Sequence, residues 1–566
     1  MSEPDSEVYD LIVVGGGISG LAAAYFYRKQ KPDARILILD NHDDFGGCAT
    51  RNEFQHAGER YLANGGSGYL EYGEYSDITL GLLGEVGIDI ERLRENQGSD
   101  FQGSDFSLGQ PFGMEYGVYF DSDHFSRDQL MTGPLNPFTL TGPDDEYHWV
   151  KRVGELPISA AAQGQLKRFL TQRTDYLADV PDAQKMEALS KISYHDFLVK
   201  RAGLPEEAAR IYQRYMAPLF GVRTDAVPAL SGMGYGLPGL RGLGDFGRAM
   251  EPELQAAMDN AKGVHFPDGN STLPRLQVLK LIPGVSSAKN QEEVATARFD
   301  YARLDAAGSP VRLRLNSTAV HVNSDDGGVA VTYVRGGRAY RARARDCVLA
   351  CYNEMIPHLC PQLPEAQKEA LDYGTKVPLV ASNVLLQNGK ALEKVGAAGF
   401  YAPGRFHSAI FGYGLSLGDH HQDWNPKKPV VLHMIAGPGS EIASGSARER
   451  YREGRELLEG MSFTDYEREI REHLAGMLGG GGFDPARDIL AITVNRWPHG
   501  YSYERNSLYD PEWPEGQAPW EIGRQRFGRI AIASADAGGY SYINAAIDQA
   551  HRAVGELVKS NKGDSS

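Results

Sequence analysis

The chain has 566 residues, more than one compact hydrophobic core accommodates, so two or more domains are expected. Hydrophobic and charged fractions of 42% and 23% are ordinary for a soluble globular protein. The net charge of -16 argues against nucleic acid and anionic membrane surfaces as partners.

In chain order, the N-terminus MSEPDSEVYD is polar and acidic, with no basic start leading into an apolar stretch. No apolar run approaches the roughly 20 residues that cross a bilayer. A soluble, cytoplasmic protein without an integral membrane segment is the expectation. The first elements are a strand in LIVV, a glycine turn, a helix in ISGLAAAYFYRKQ and a second strand in RILILD. From about Tyr72 to Lys262 loops rich in Gly, Asp, Ser and Pro alternate with helical stretches such as AAAQGQLKRFLTQRTDYLADV. AVHV, VAVTYV and YRARAR then alternate in period two and are joined by DDGG and RGG, which read as hairpin turns. DCVLACYNE reads as a buried strand running into a turn. Its Cys347 and Cys351 therefore read as core rather than metal ligands. With Cys48 and Cys360 they make four cysteines, too few for a disulfide framework. TDYEREIREHLAGML opens on a capping box of Thr464 with Glu467. RIAIASAD is a late strand, followed by the helix NAAIDQAHRAVGEL. Strands alternating with helices at both ends imply a parallel sheet covered by helices. The expected class is α/β, a Rossmann-type dinucleotide-binding domain with an interleaved mixed α+β substrate or cap domain. The cofactor domain is expected over 1–75, 262–355 and 525–560, and the substrate domain over 76–261 and 356–524.

Gly15-x-Gly17-x-x-Gly20 lies directly between a strand and a helix, the context its chemistry requires. Gly15 permits the tight turn, Gly17 lets backbone approach a pyrophosphate, and Gly20 lets helix and strand pack closely. The helix N-terminus offers unpaired N–H groups and a positive dipole to the phosphates. Asp40 closes the second strand about 20 residues past Gly20, where a ribose-binding carboxylate belongs. These features fit FAD or NAD better than NADP, and do not separate the first two.

The stretch after Asp40, NHDDFGGCATRNEF, carries a second glycine pair, Gly46 and Gly47. It resembles the flavoprotein family that includes amine oxidases and phytoene desaturases, in which such a pair lies against the cofactor pyrophosphate. RIAIASADAGGYSYINAAIDQAHRAVGEL resembles that family's C-terminal motif. Through it Asp536 is matched to a ribitol contact, and the Tyr542–Ile543 helix start to a dipole facing the flavin. The implied cofactor is FAD, in the two-dinucleotide-motif flavoprotein fold. Much of the chain resembles the bacterial spermidine dehydrogenases. The likeness is carried by LILDNHDDFGG, HFPDGNSTLPRLQVLKLIPG, CYNEMIPHLCPQLPEAQKEAL, KVPLV, NRWPHGYSYERNSLYDP and GRIAIASADAGGYSYINAAIDQAHRA. The resemblance adds Cys48, Arg51, Gly66, Ser67 and Val320 as cofactor contacts, and implies oxidation of a carbon–nitrogen bond of an amine, with spermidine as the first guess.

One departure stands out. Where these dehydrogenases lead one to expect GGH, this chain has Gly46-Gly47-Cys48, which argues against the haem b that the resemblance would bring; absence or weak occupancy is expected. Cys48 reads either as a thiolate ligand or as a small residue under the flavin. No histidine spacing declares a metal site. Lys376 reads either as a surface lysine at a strand edge or, as the resemblance implies, as the lysine that holds a water at flavin N5, and the resemblance makes Tyr542 one wall of an aromatic cage for the amine. Trp497, His499, Tyr501 and Tyr503 are candidates for the other wall, and Glu71, Glu74 and Glu504 for a distal ammonium. No cysteine near NRWPHGYSYE offers a covalent tether, so noncovalent FAD is expected. Hydride transfer needs positioning and exclusion of water rather than an obligatory base, so no catalytic triad is required. The competing readings are an FAD-dependent desaturase or isomerase of an apolar substrate and a non-catalytic flavoprotein partner. The electron acceptor is not specified, and a homo-oligomer is compatible with the composition.

Overall fold

The computed structural model describes residues 3–97, 114–133, 148–260, 262–404, 406–411, 416–421 and 424–563. The chain begins with β1 (Glu3–Val14), followed by α1 (Ile18–Gln30) and β2 (Ile36–Leu39). It returns to the same sheet with β3 (Val311–Arg314), β4 (Thr318–Asp325), β5 (Gly328–Arg335) and β6 (Arg338–Leu349), and closes with β7 (Ile530–Ile532) and α2 (Ile543–Gly563). β3, β2, β1, β6 and β7 run parallel in that order. Leu11, Ile12, Val13 and the whole of β2 are buried, the continuous apolar pattern of a parallel sheet covered on both faces. β4, β5 and β6 form the expected antiparallel meander. Gly336 and Gly337 both take positive φ at its second turn, the requirement of a tight hairpin.

One face of this sheet is covered by α1, α2 and the helix Thr272–Leu281, whose apolar residues share a core with Leu11, Val13 and Ile38. Leu82, Leu83 and Leu93 join that core, and Ile356, Leu363 and Leu371 join the core on the other face. Segments 77–97 and 356–371 therefore pack against the two faces of the parallel sheet.

The second layer is a seven-stranded mixed sheet in the order Ile489–Tyr501, Val377–Leu386, Val430–Ala436, Ser408–Phe411, Ala397–Tyr401, Glu115–Phe120 and Gln129–Gly133. Helices from the 160–243 region cover one face and share their core with Ala447 and Tyr451 of Ala447–Gly460, while Leu458 of that helix and Phe463–Leu478 support the other. The capping box of Phe463–Leu478 is two residues earlier than expected. Ser462 accepts from the Asp465 N–H, and Asp465 accepts from the Ser462 N–H. Aspartate at the third helical position does the work assigned to Glu467, because Ser462 is the residue with extended backbone. The helix then ends on a 3-10 turn, Gly479–Gly481.

The two layers are joined by a polar clasp. The hairpin Arg51–His56 and Glu59–Asn64 presents Asn52 Oδ1 to Asn383 Nδ2, Thr493 Oγ1 and Asn495 Nδ2, each at 2.7 Å. Asn383 Nδ2 also reaches the Asn64 carbonyl at 2.7 Å. These bonds hold the second sheet against the loop that carries Gly65 to Ser67.

Candidate active site between the two sheets

β1 ends in the glycine turn, and each glycine is needed for its own reason. Gly15 has φ +111, and a Cβ there would meet the Ala350 carbonyl oxygen at 2.7 Å. A Cβ on Gly20 would lie 1.9 Å from the Gly15 carbonyl oxygen. Gly17 differs: nothing is nearer to its virtual Cβ than 3.7 Å, and that neighbour is the backbone of Gly47. The two glycine turns meet here, with the Gly46 N–H donating to the Gly16 carbonyl at 2.9 Å. Gly46 and Gly47 both take positive φ. The result is a cradle of bare backbone at the N-terminus of α1.

Asp40 is buried at the end of β2. Its Oδ2 accepts from the Gly16 N–H at 2.7 Å, and its Oδ1 from the His42 N–H at 2.8 Å. The Asp40 carbonyl accepts from the Ser317 N–H at 2.7 Å, so β4 begins beside it. Val320 lies three residues further along that edge strand and is 44% exposed.

The far end of the chain closes the cradle. Ser19, in the first turn of α1, accepts from the Ser534 N–H at 2.9 Å and donates to the Ala546 carbonyl at 2.8 Å. That one hydroxyl ties α1 to the end of β7 and to the first turn of α2, which starts at Ile543. Ser534 is held at φ +89, strained for a residue with a side chain, and its hydroxyl is buried with no hydrogen-bond partner among the described residues. Beyond it Asp536 is 8% exposed. Its Oδ1 accepts from Lys376 Nζ and Ser502 Oγ, both at 2.6 Å, and its Oδ2 from the Asn353 N–H at 3.1 Å. Burial alone would push the Asp536 carboxyl up, yet Lys376 and the two hydrogen bonds draw it below its ordinary value. Lys376 is 4% exposed, and its ammonium also lies 5.1 Å from the centre of the Tyr352 ring.

Cys48 and the Gly66–Ser67 loop meet on the other side. The Cys48 carbonyl accepts from the Ser67 N–H at 2.8 Å. A Cβ on Gly66 would strike that carbonyl at 2.4 Å and the Trp497 ring at 3.0 Å. The Trp497 indole donates to the Gly65 carbonyl at 2.8 Å. The Cys48 thiol is hydrogen-bonded with Tyr352, and burial pushes its pKa up, which disfavours a thiolate. Among the described residues no group of three or more His, Cys, Asp or Glu could hold a metal ion. Arg51 is committed to protein: its guanidinium reaches Asp268 at 3.3 Å, the Ala295 carbonyl at 2.6 Å, and Glu53.

A third group completes the site. Tyr501 ends its strand, Tyr542 precedes α2, and Tyr235 caps the helix Ala229–Gly234. Tyr542 and Tyr235 are each 38% exposed and are hydrogen-bonded to one another. Glu71, at the end of the short strand Tyr69–Glu71, raises all three phenols electrostatically, and Glu504 does the same. Burial pushes Glu71 itself up to about 7, with Glu74 adding to the shift. Glu504 is an exposed residue whose carboxyl is raised by desolvation, and the backbone N–H of Ser541 opposes that shift.

Of the expected wall residues, Trp497 and Tyr501 line the site. His499 stacks on Tyr352 at 5.0 Å and lies 3.3 Å from Glu354. Tyr503 is core, donating to Asp510 at 2.5 Å. Tyr235, Tyr352 and Ser502 were not singled out from sequence. Tyr352 and Ser502 lie inside the quoted CYNEM and NRWPHGYSYE strings, whereas Tyr235 sits in a loop-rich region with no motif.

Comparison with known proteins agrees with this architecture. A family model described as an NAD(P)-binding Rossmann-like domain matches residues 13–81. No curated protein matches the chain by sequence. Among solved structures, putrescine oxidase with putrescine bound aligns with a TM-score of 0.55 and 14% identity, over 98% of this chain and 99% of that one. Cyclohexylamine oxidase from Brevibacterium oxydans IH-35A gives 0.54 and 14%, with the same coverage. A putative protoporphyrinogen oxidase from Exiguobacterium sp. 255-15 gives 0.58 and 12%, over 98% and 100%. The chain has the fold of these proteins over nearly its whole length.

Proposed function

We propose that the protein is an FAD-dependent oxidoreductase that oxidises a carbon–nitrogen bond of an amine, with polyamines such as spermidine as the first substrates to test. One observation carries the reading. Two bare glycine turns and the turn from the strained Ser534 to Asp536 come together through Gly16–Gly46 and Ser19–Ser534, and Tyr501, Tyr542 and Tyr235 form a second group with the carboxylates Glu71 and Glu504, whose pKa values are raised. The turns suit a dinucleotide, since a Cβ at Gly17 would occupy the open approach to backbone N–H groups. The second group suits a cationic nitrogen, which aromatic faces and carboxylates attract together. The oxidase folds that the chain shares, two of them named for amine substrates, support the same reading.

FAD, when bound, supplies the hydride acceptor. Asp40 would hold the adenosine ribose, the Gly15–Gly17 and Gly46–Gly47 turns the pyrophosphate, and Asp536 with the N-terminus of α2 the ribitol and ring. Gly66, Ser67 and Cys48 would line the ring, and Tyr501 and Tyr542 would orient the amine. Arg51 supports this wall through Asp268, and the exposed Val320 would edge the adenine.

Asp40→Ala is expected to weaken FAD binding by roughly 1–3 kcal/mol, the worth of a hydrogen bond to a charged group. Titration of apoprotein with FAD measures it, and an unchanged dissociation constant removes Asp40 from the ribose. Anaerobic addition of spermidine to the flavin-loaded protein is expected to bleach the flavin band. Bleaching by an apolar, uncharged substrate and by no amine would favour the desaturase or isomerase reading. Bleaching by neither would favour a non-catalytic flavoprotein.

A further inference from the structure

Tyr501 and Tyr542 belong to different layers. Tyr501 is the last residue of the strand Ile489–Tyr501, and Tyr542 precedes α2. The strand ladder alone holds Tyr501 loosely. Trp497 lies opposite Leu379, but the next pair is Tyr501 with Val377, so Pro498, His499 and Gly500 stand against Pro378. Such a bulge interrupts the ladder, and the two prolines remove a donor from each strand. Burial does not hold the other ring, since Tyr542 is 38% exposed.

A pair of serines spans the gap. Ser541 Oγ accepts from the Ser502 N–H and donates to the Ser502 carbonyl at 3.3 Å. A hydroxyl can do both, having one hydrogen to give and lone pairs to receive. Ser502 is 3% exposed, and its own hydroxyl donates to Asp536 Oδ1 at 2.6 Å. Every polar group of Ser502 is therefore taken by the two ends of the segment from Asp536 to Ser541. The ends have different neighbours. Asp536 is also bound to Lys376 Nζ and the Asn353 N–H, at the proposed ribitol site. Ser541 adjoins Tyr542, as Ser502 adjoins Tyr501, so the Ser541 hydroxyl joins the main chains that carry the two rings.

Resting on the amine reading, we infer that Ser541 is a positioning residue whose hydroxyl fixes the separation of Tyr501 and Tyr542, and with it the width of the slot that orients a cationic nitrogen. Ser541 itself need not touch the amine. Cation–π attraction requires the cation within about 6 Å of a ring centre, so a slot that widens gives up one wall. The Ser502 hydroxyl serves the other end of the segment, where it steadies Asp536 and the cofactor side. Removing the two hydroxyls should therefore have separable effects.

The test uses the flavin-loaded protein and two probes. Tetramethylammonium has no lone pair on nitrogen and serves as an unreactive cation, its binding read from the flavin absorption. Spermidine reports the limiting rate of bleaching in anaerobic stopped flow. Ser541→Ala is expected to weaken tetramethylammonium binding by about tenfold, the contribution of one aromatic wall. It should slow the limiting rate by about tenfold as well, because the amine is misplaced, while FAD affinity stays within about twofold of wild type. Ser541→Thr keeps the hydroxyl and should bind tetramethylammonium within about threefold of wild type. Ser502→Ala should give the converse pattern: FAD affinity down by about tenfold, and tetramethylammonium affinity of the flavin-saturated protein little changed.

Wild-type cation affinity and bleaching rate in Ser541→Ala would overturn the inference. So would matching losses of FAD and cation affinity in both alanine variants, which would make the serines general supports. A threonine variant no better than alanine would also overturn it, since the hydroxyl would not be what holds the rings. A wild type that binds no tetramethylammonium and is bleached by no amine removes the amine reading itself.

Discussion

Lys376→Met is expected to destabilise the protein by about 3–5 kcal/mol, the cost of removing one member of a buried ion pair. Asp536 would then be a buried carboxylate held, among the described residues, by Ser502 Oγ at 2.6 Å and the Asn353 N–H at 3.1 Å. The resemblance implies that Lys376 holds a water at flavin N5, a role in which methionine would be structurally silent. The 2.6 Å contact with Asp536 makes a different demand. The decisive comparison is Lys376→Met against Lys376→Met with Asp536→Asn. If the loss comes from the orphaned carboxylate, the second change restores most of the thermal stability. If both variants melt alike, packing of the lysine stem accounts for the loss. Because Asp536 stands at the proposed ribitol site, the single variant should also hold FAD less tightly. The pair adds stability above the ordinary carboxylate range and loses it as acid protonates Asp536, whose folded value is depressed.

The second large effect separates two glycines three residues apart. Gly20→Ala places a methyl 1.9 Å from the Gly15 carbonyl oxygen, so α1 and the end of β1 must part. A loss of at least about 3 kcal/mol is expected, at the upper end for overpacking because the obstacle is backbone. Gly17→Ala meets nothing within 3.7 Å and keeps an ordinary φ of -76. Its apoprotein should therefore melt well above Gly20→Ala, since it loses only the preference for glycine over alanine at a helix N-cap, on the order of 1 kcal/mol. FAD affinity should nevertheless fall by on the order of tenfold or more, because the methyl intrudes where the pyrophosphate approaches. Wild-type FAD affinity in Gly17→Ala would mean that this turn is not the cradle.

These contrasts also indicate what sequence makes legible. Gly15, Gly17, Gly20 and Asp40 belong to one local strand–turn–helix–strand unit, so spacing alone places them. The hairpins of β4 to β6 are likewise local, with turn glycines that need positive φ. The late strand was readable in kind, but only Ile530–Ile532 pair and the following residues form a 3-10 turn. The second sheet was much less legible. Val377–Leu386 is buried at every position, so it lacks the alternation that marks a strand. Its neighbours are distant in sequence, and Glu115–Phe120 is brought in parallel to Ala397–Tyr401. Tyr235 reaches Tyr501 and Tyr542 only through that packing. The pairing of Lys376 with Asp536 is equally nonlocal. A lysine at the start of an apolar strand raises the question of a partner, and only the fold answers it.

The central claim is that the two ends of the chain enclose one noncovalent FAD. The direct measurement is the cofactor content of the purified protein, followed by acid precipitation. About one FAD per chain is expected, with the yellow chromophore passing into the supernatant, because both glycine turns and the Asp536 turn suit one dinucleotide and no cysteine lies in the NRWPHGYSYE segment. Colour kept in the pellet would contradict noncovalent binding. A colourless protein whose apo form ignores FAD but binds NAD would contradict the flavin itself.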